Sequence, residues 1–265
     1  MKKKTIFALL PAFFLGAGLL LGSCSSDAED PTTSTGVGTI SFSLDTSTLF
    51  ETAQTRAVDE EAYKNTDNYT VQIIDDKDAI VKEGLYKEIK TTTYKLNNGN
   101  YTIKAFYGEE SNASQEKFLV TGQTNISVAA NDQAVSVECY PTCGKLRANF
   151  DATMNNYFSA YSITYETEAL TAAGGAVNWT QQNTAPWYVK LNPKGENVKA
   201  TIHLTRKDNG ASSQVVKVNE GMKPNQSWTM NIAPLDDNGT LGISITIDES
   251  TTDIEHDIEV PSDWI

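Results

Sequence analysis

The sequence has few residues of the types that bind metals or act as general bases. It contains 2 histidines, His203 and His256, and 3 cysteines in 265 residues, and no cysteine lies near either histidine. Zinc sites combine several such ligands at close spacing, so we expect no metal site. The chain also has no Gly-x-Ser-x-Gly elbow, phosphate-binding glycine loop or His-Glu-x-x-His helix, which are motifs of common enzymes. We therefore expect no cofactor, no catalytic residues and no enzymatic activity.

Positive charge is also scarce. The chain has 21 Lys and Arg residues against 34 Asp and Glu residues, which gives a formal net charge of -13 at pH 7. Proteins that bind nucleic acids need a basic surface to contact the phosphates. Nucleic acid is therefore not an expected partner.

Only one long apolar run is present, and it lies at the start of the sequence. Lysines at positions 2–4 precede the apolar residues 5–21, and the small residues Gly22 and Ser23 lead to Cys24. A membrane-spanning helix needs about 20 apolar residues, whereas a shorter run of this kind is typical of a cleaved export signal. We predict a lipoprotein signal peptide over residues 1–24, with diacylglycerol on the Cys24 thiol. The amine freed by cleavage would take a further chain of the palmitate type, and two or more chains anchor a protein stably.

The remaining sequence alternates between apolar and polar residues in short runs. Residues 25–38 lack this alternation, and we predict a flexible acidic tether there. Later runs are separated by Gly, Asn and Asp, which is typical of antiparallel strands. Turns at Asn97-Asn98-Gly99 and Asp208-Asn209-Gly210 predict hairpins. We predict an all-β fold with two tandem antiparallel β-sandwich domains, residues 39–141 and 142–250, followed by a tail over 251–265.

Cys139 and Cys143 are the cysteines that remain once Cys24 carries lipid. In a straight strand their Cα atoms would lie about 13 Å apart, at about 3.3 Å per residue. A disulfide spans roughly 7 Å at most, so only a turn at Pro141-Thr142 would permit one. Two alternatives stay open: a disulfide, or two separately buried thiols.

Tryptophan side chains are candidates for stacking against sugar rings. Trp187 and Trp228 are in phase with apolar neighbours in predicted strands, which favours a place in the core. Trp179 follows Gly174-Gly175. We keep Trp179 as a candidate exposed ligand platform.

The loop after the first predicted strand contains a candidate processing site. Arg56 and Ala57 lie in a polar stretch that follows the predicted strand residues 40–44 in the sequence. Cleavage between them would release that strand and open a groove. Unpaired strand edges bind extended segments by backbone pairing. The tail has Ile254, Ile258 and Val260 on one period-two face, which is the pattern needed to fill such a groove in a neighbouring molecule.

Several segments of the sequence match a known family. They are Cys24 with the acidic residues after it, and residues 38–42, 55–57, 96–101, 145–150 and 260–264. These segments resemble the fimbrillin-like surface lipoproteins of Bacteroidetes, including a related group known only as a domain of unknown function. The resemblance implies transthyretin-like or fimbrillin-like sandwiches on the outer face of the outer membrane. It also implies cleavage after Arg56 by a trypsin-like protease and donor-strand assembly by the C-terminal segment.

We therefore predict a non-enzymatic, lipid-anchored protein of the cell surface, either a pilus component or an adhesin. Its expected partners are the membrane, through the lipid, and either donor-strand subunits or a ligand on a host or bacterial surface. The alternative is a glycan-binding lipoprotein of a polysaccharide-uptake system.

Overall fold

The computed structural model describes residues 36–50, 58–237 and 240–249. These residues form one compact unit built from β-strands and a few short helices, which confirms the predicted all-β class. None of the described helices is long and apolar enough to cross a bilayer. Cys24, Arg56, Ala57 and the tail 251–265 lie outside the described residues.

The first part of the chain forms a seven-stranded sheet. The strand order is β3-β2-β5-β7-β8-β1-β4, and only the β1 and β8 pair is parallel. The elements are β1 (Val37–Thr46), α1 (Glu60–Lys64), a 3-10 turn (Thr66–Asn68), β2 (Thr70–Asp75), β3 (Ile80–Leu85), α2 (Tyr86–Ile89), β4 (Tyr94–Asn97), β5 (Gly99–Gly108), β6 (Ala113–Ser114), β7 (Leu119–Val128) and β8 (Asp132–Pro141).

This sheet divides where β7 meets β8. The two strands pair only at Val120 with Pro141 and at Thr121 with Tyr140. Side chains from both sides of the division share one hydrophobic cluster. The strands β3-β2-β5-β7 and β8-β1-β4 therefore serve as the two layers of a β-sandwich.

The second part of the chain contributes two further sheets. One has the order β11-β10-β13-β14, and the other has the order β16-β15-β9-β12-β6, in which β9 and β15 are parallel. The elements are β9 (Cys143–Phe150), α3 (Met154–Tyr157), β10 (Phe158–Glu166), α4 (Glu168–Ala172), β11 (Val177–Thr180), β12 (Trp187–Lys190), β13 (Glu196–Arg206), β14 (Ser212–Met222), β15 (Ser227–Asp237) and β16 (Thr240–Glu249).

A second hydrophobic cluster lies between these two sheets. Ile202 and Leu204 of β13 and Met230 and Ile232 of β15 are among its buried members. Every second residue of a strand points to the same face, so the apolar alternation of the sequence becomes one continuous core. Burial of each large aliphatic side chain stabilises the fold by roughly 1.5–3 kcal/mol.

One predicted hairpin is confirmed and another is wrong. β13 and β14 pair across the turn that ends at Gly210, which has a φ of 71°. By contrast, β4 and β5 flank Asn98 but do not pair, because β4 pairs with β1 and β5 with β2 and β7. The reason is apolar packing: Leu96 is buried and the Tyr94 ring stacks on Phe42 at 5.7 Å.

The strand β6 connects the two parts of the chain. It lies between β5 and β7 in sequence, yet it pairs with β12 through Ala113 with Val189 and Ser114 with Tyr188. Tyr188 belongs to the first hydrophobic cluster and Val189 to the second. Backbone pairing therefore crosses the predicted domain boundary at residues 141 and 142. That boundary stays a prediction.

Candidate functional site

The candidate functional site is built around β1, the first described strand. β1 lies inside its sheet, with residues 39–46 parallel to β8 and residues 37–40 antiparallel to β4. Ile40, Phe42 and Leu44 alternate along one face, and each is less than a tenth exposed. Removal of β1 would therefore expose a long apolar groove with unpaired backbone groups on its β8 side.

Polar contacts hold the second half of β1. The Leu44 N–H donates to the Tyr86 hydroxyl oxygen at 3.2 Å, and the hydroxyl groups of Thr46 and Tyr69 are 2.9 Å apart. Tyr69 also donates to the Tyr63 carbonyl oxygen at 2.7 Å. Burial raises the pKa of Tyr69, so its hydroxyl stays protonated and able to donate at physiological pH.

The chain beyond β1 is attached to the second part of the molecule by Asn225. Its Oδ1 accepts from the Leu49 N–H at 2.9 Å, and its Nδ2 donates to the Ser47 carbonyl oxygen at 3.1 Å. Phe50 follows and packs edge-on against Phe118, with ring centroids 5.5 Å apart. Arg56 and Ala57 come next in sequence and lie outside the described residues.

A buried ionic cluster involves one of the first described residues after Ala57. Glu60, in the first turn of α1, accepts from Lys145 Nζ at 2.7 Å and from the Tyr188 hydroxyl through the same Oε1 atom. The side chains of Glu60 and Lys145 are only 4% and 3% exposed. Burial, reinforced by the contact with Glu60, raises the pKa of Tyr188. We call Glu60, Lys145 and Tyr188 the buried clasp; it joins α1 to β9 and β12.

Trp179 is part of the core, which corrects the expectation of an exposed ligand platform. The residue is 4% exposed, and its ring stacks on Phe150 with centroids 4.6 Å apart. Pairing of β11 with β10 brings Trp179 opposite Ile163, so the side chain points between the sheets. The glycines before it do not expose its ring.

Cys139 and Cys143 are both free and buried. Cys139 is paired in register with Thr46 of β1, and Cys143 begins β9. Burial raises the pKa of Cys139 to about 12 and also raises that of Cys143. Of the two alternatives left open by the sequence, the structure has two separately buried thiols.

An open polar cleft of about 490 Å³ lies at the ends of β2, β5 and β7. Thr102 Oγ1 donates to Asn125 Oδ1 there at 2.9 Å, which fixes the orientation of the Asn125 amide. Within the described ranges, no group of three or more His, Cys, Asp or Glu side chains is arranged to hold a metal ion. The cleft is lined by Asp75, Asp76, Asn100, Tyr101, Thr102, Asn125, Ile126 and Ser127.

Comparisons with known proteins give one family match and several distant structural similarities. The family model described as a domain of unknown function (DUF4493) matches residues 36–262. No curated protein matches the chain. A candidate adhesin from Bacteroides ovatus is 11% identical, with a TM-score of 0.46, over 90% of this chain and 99% of that one.

Two further solved structures have similar values. A fimbrial assembly protein from Parabacteroides distasonis is 10% identical, with a TM-score of 0.43, over 83% of this chain and 96% of that one. The fimbrial anchor protein Mfa2 from Porphyromonas gingivalis is 11% identical, with a TM-score of 0.37, over 84% of this chain and 100% of that one. At these values, none of the similarities identifies what this chain binds.

Proposed function

The chain belongs to the DUF4493 family, and we propose that it is a non-enzymatic surface lipoprotein that takes part in fimbrial assembly or adhesion. Cys24 is the proposed lipid attachment site, and the outer face of the outer membrane is the proposed location. The basic start, the short apolar run and the small residues before Cys24 support this anchor. Two or more acyl chains would make it stable.

The position of β1 is the observation that carries the assembly proposal. β1 is an interior strand with three buried apolar side chains, and Arg56 follows it ten residues later in the sequence. Cleavage between Arg56 and Ala57 would break the only covalent link between β1 and the rest of the fold. An extended segment with period-two alternation would then be able to pair with β8 in its place.

The buried clasp supports the same proposal, because it would keep the cleaved chain folded. A chain that begins at Ala57 still carries Glu60, whose carboxylate is bound by Lys145 and Tyr188. Removing one partner of a buried ion pair costs about 3–5 kcal/mol. The new N-terminal segment would therefore stay attached to β9 and β12 while β1 departs.

Treatment of intact cells with an arginine-specific protease tests this proposal. We expect N-terminal sequencing to give a new start at Ala57, and we expect thiol labelling to reach Cys139 once β1 has left. Arg56→Ala should remain uncut, whereas Arg206→Ala, the matched arginine control, should be cut like the wild type. A surface-extracted chain that keeps Cys24, resists cleavage and forms no ladder of polymers would overturn the assembly role.

The polar cleft supports a second candidate function, glycan binding in a polysaccharide-uptake system. Its lining offers carboxylate, amide and hydroxyl groups beside the Tyr101 ring, the combination that binds sugar hydroxyls and a sugar face. Saturable binding to a glycan panel that is lost in Asn125→Ala and kept in Trp179→Phe would support this role. Absence of binding to any glycan by the wild type would exclude it.

A further inference from the structure

The strand β14 is an exposed edge of the four-stranded sheet. It runs from Ser212 to Met222 and pairs with β13, and no other described strand pairs with it. Val216 and Val218 point away from the core and are 51% and 48% exposed. Long edges with exposed apolar residues attract extended segments, so natural proteins usually cover or charge them.

Lys217 lies between these two valines and faces the opposite side of the sheet. Burial lowers the pKa of its ammonium group. Within the described part of the chain, its Nζ makes no ion pair. A carboxylate supplied by a neighbouring strand would stabilise this charge.

The last described strand, β16, lies at the same side of the sandwich as β14. Trp187 Nε1 donates to the Asn178 carbonyl oxygen at 3.0 Å, which brings β12 beside β11. Phe150 of β9 stacks on Tyr161 of β10 at 4.6 Å. Counting outward from β9 and β10 in the two sheet orders then brings β16 opposite β14.

The end of β16 is level with Lys217. Glu249 pairs with Trp228, and the Trp228 ring contacts Tyr165 of the facing sheet at 6.5 Å. Tyr165 pairs with Ala200, which in turn pairs with Lys217. The end of β16 and Lys217 therefore lie at the same level along the strand direction of the sandwich.

β16 and β14 also run in the same direction along the sandwich. Ile245 of β16 precedes Glu249 by four residues, and Ser213 of β14 precedes Lys217 by four residues. Ile245 and Ser213 lie at the same level along the strand direction. A segment that leaves β16 and turns across to β14 would consequently pair antiparallel with it. The chain of neighbours that establishes this level is Ile245, Ile232, Phe150, Tyr161, Leu204 and Ser213.

We propose that residues 254–260 of the same chain pair antiparallel with β14 and extend the sheet. Residues 250–253 would span the roughly 10 Å between packed sheets, since extended chain reaches about 3.3 Å per residue. The favoured register has Ile254 opposite Val218 and Glu255 opposite Lys217. Directly opposed residues share a face, so Ile254 would meet the exposed Val218 on the outer face, and Glu255 would meet Lys217 on the inner face.

One feature of the sequence agrees with this register. Pro261 falls opposite Ala211, just beyond the start of β14, and proline suits the end of a paired strand because it cannot donate a backbone hydrogen bond. The family match continues to residue 262, so the tail belongs to the same family unit as the described strands. This site is separate from the β1 groove. It would hold the tail in its own molecule until a neighbour binds the tail.

Hydrogen exchange of the full mature chain tests the pairing. Removal of residues 251–265 should speed exchange about tenfold in peptides that cover β14 and leave peptides that cover β2 unchanged. Lys217→Glu and Glu255→Lys should each raise β14 exchange, and the double variant should restore protection. Unchanged exchange on truncation would overturn the proposal.

A disulfide test separates pairing within one chain from pairing between chains. Lys217→Cys with Glu255→Cys should form a bond within one chain, because opposed Cα atoms lie within the roughly 7 Å that a disulfide spans. Val216→Cys with Glu255→Cys is the control, since these residues would lie on opposite faces, and it should not cross-link. Dimers alone, or no cross-link, would contradict pairing within the chain. Arg56 cleavage does not affect either readout, so the assembly role and this proposal can fail separately.

Discussion

The strands β1 and β15 occupy similar places in the two parts of the molecule but are held differently. Each is an interior strand with one parallel partner. The partner of β1 is β8 and the partner of β15 is β9, and these two partner strands are consecutive in sequence. On its other side, β15 pairs with β16 over residues 228–237. β1 pairs on its other side with β4 over residues 37–40 alone.

This difference indicates which parallel strand is permanent and which is replaceable. β15 pairs with β16 over residues 228–237 and with β9 over residues 227–232, so its departure would unpair two strands. β1 pairs with β8 over residues 39–46, but beyond residue 40 no described strand pairs with its other edge. There its Phe42 side chain contacts the rings of Tyr94, which is stacked on it, and Tyr86, which is tilted. Regions with fewer backbone hydrogen bonds open at lower free energy.

The largest effect is expected when the buried clasp is broken. Lys145→Met leaves the Glu60 carboxylate buried without its charge partner, which should lower the free energy of unfolding by about 3–5 kcal/mol. Urea denaturation measures this change. Lys199→Met is the matched control, because Lys199 is 47% exposed in its pair with Glu166 and surface pairs contribute about 0–1 kcal/mol.

A double variant shows whether the loss comes from the uncompensated charge. Glu60→Leu with Lys145→Met should recover most of the stability, since a buried ion pair is often replaced by apolar residues without loss. If the double variant is no more stable than Lys145→Met, the clasp is not the source of the effect. Retention of α1 on β9 would then need another explanation.

Equivalent truncations in the two parallel strands test the comparison directly. Ile40→Ala in β1 and Ile232→Ala in β15 both remove side chains that are at most 1% exposed, and each should cost about 2–5 kcal/mol. Native-state hydrogen exchange should separate them. Ile40→Ala should speed exchange in β1 and β4 without global unfolding, whereas Ile232→Ala should speed exchange throughout β9, β15 and β16. Equal patterns would contradict the idea that only β1 opens locally.

Local sequence patterns predicted the strands well, because alternation is a local property. The alternation around Ile202 and Ile232 and the turn at Gly210 led to strands that the structure contains. Pairing between distant strands was not predictable in the same way. The Asn98 turn suggested a hairpin, but Tyr94 finds its aromatic partner in Phe42, which is far away in sequence.

The candidate site was predictable only in part, for the same physical reason. The apolar face of Ile40 and Leu44 was visible in the sequence, but the parallel pairing with β8 was not. Glu60 and Tyr188 are separated by 128 positions, and nothing local marks either as part of a buried pair. Trp179 was misjudged because flanking glycines suggest exposure, whereas strand pairing with Ile163 turns its ring inward.

A smaller effect is expected from crowding the start of β1. A Cβ atom on Gly38 would overlap the Ala129 carbonyl oxygen and Val128 Cγ1, so Gly38→Ala should displace this end of β1 and cost about 1–3 kcal/mol. Gly175→Ala, where nothing lies within 4 Å, should change stability by less than about 0.5 kcal/mol. Thermal denaturation compares the two. An unaffected Gly38→Ala would show that β1 pairing begins beyond this position.

The smallest effect is expected at Asn225, which ties the chain after β1 to the second part of the molecule. Asn225→Gly removes both side-chain hydrogen bonds, to Leu49 and Ser47, while glycine readily adopts the φ of 68° found there. At about 0.5–1.5 kcal/mol for each net hydrogen bond, the two bonds together contribute about 1–3 kcal/mol, and the ease with which glycine adopts this φ offsets part of the loss. Asn225→Asp keeps the acceptor for the Leu49 N–H but loses the donor to Ser47, so its effect should be intermediate. Because these bonds hold Ser47 and Leu49, which precede Arg56 in the sequence, protease cleavage after Arg56 should quicken in the order wild type, Asn225→Asp, Asn225→Gly. Equal cleavage rates in all three would mean that Asn225 does not control access to β1.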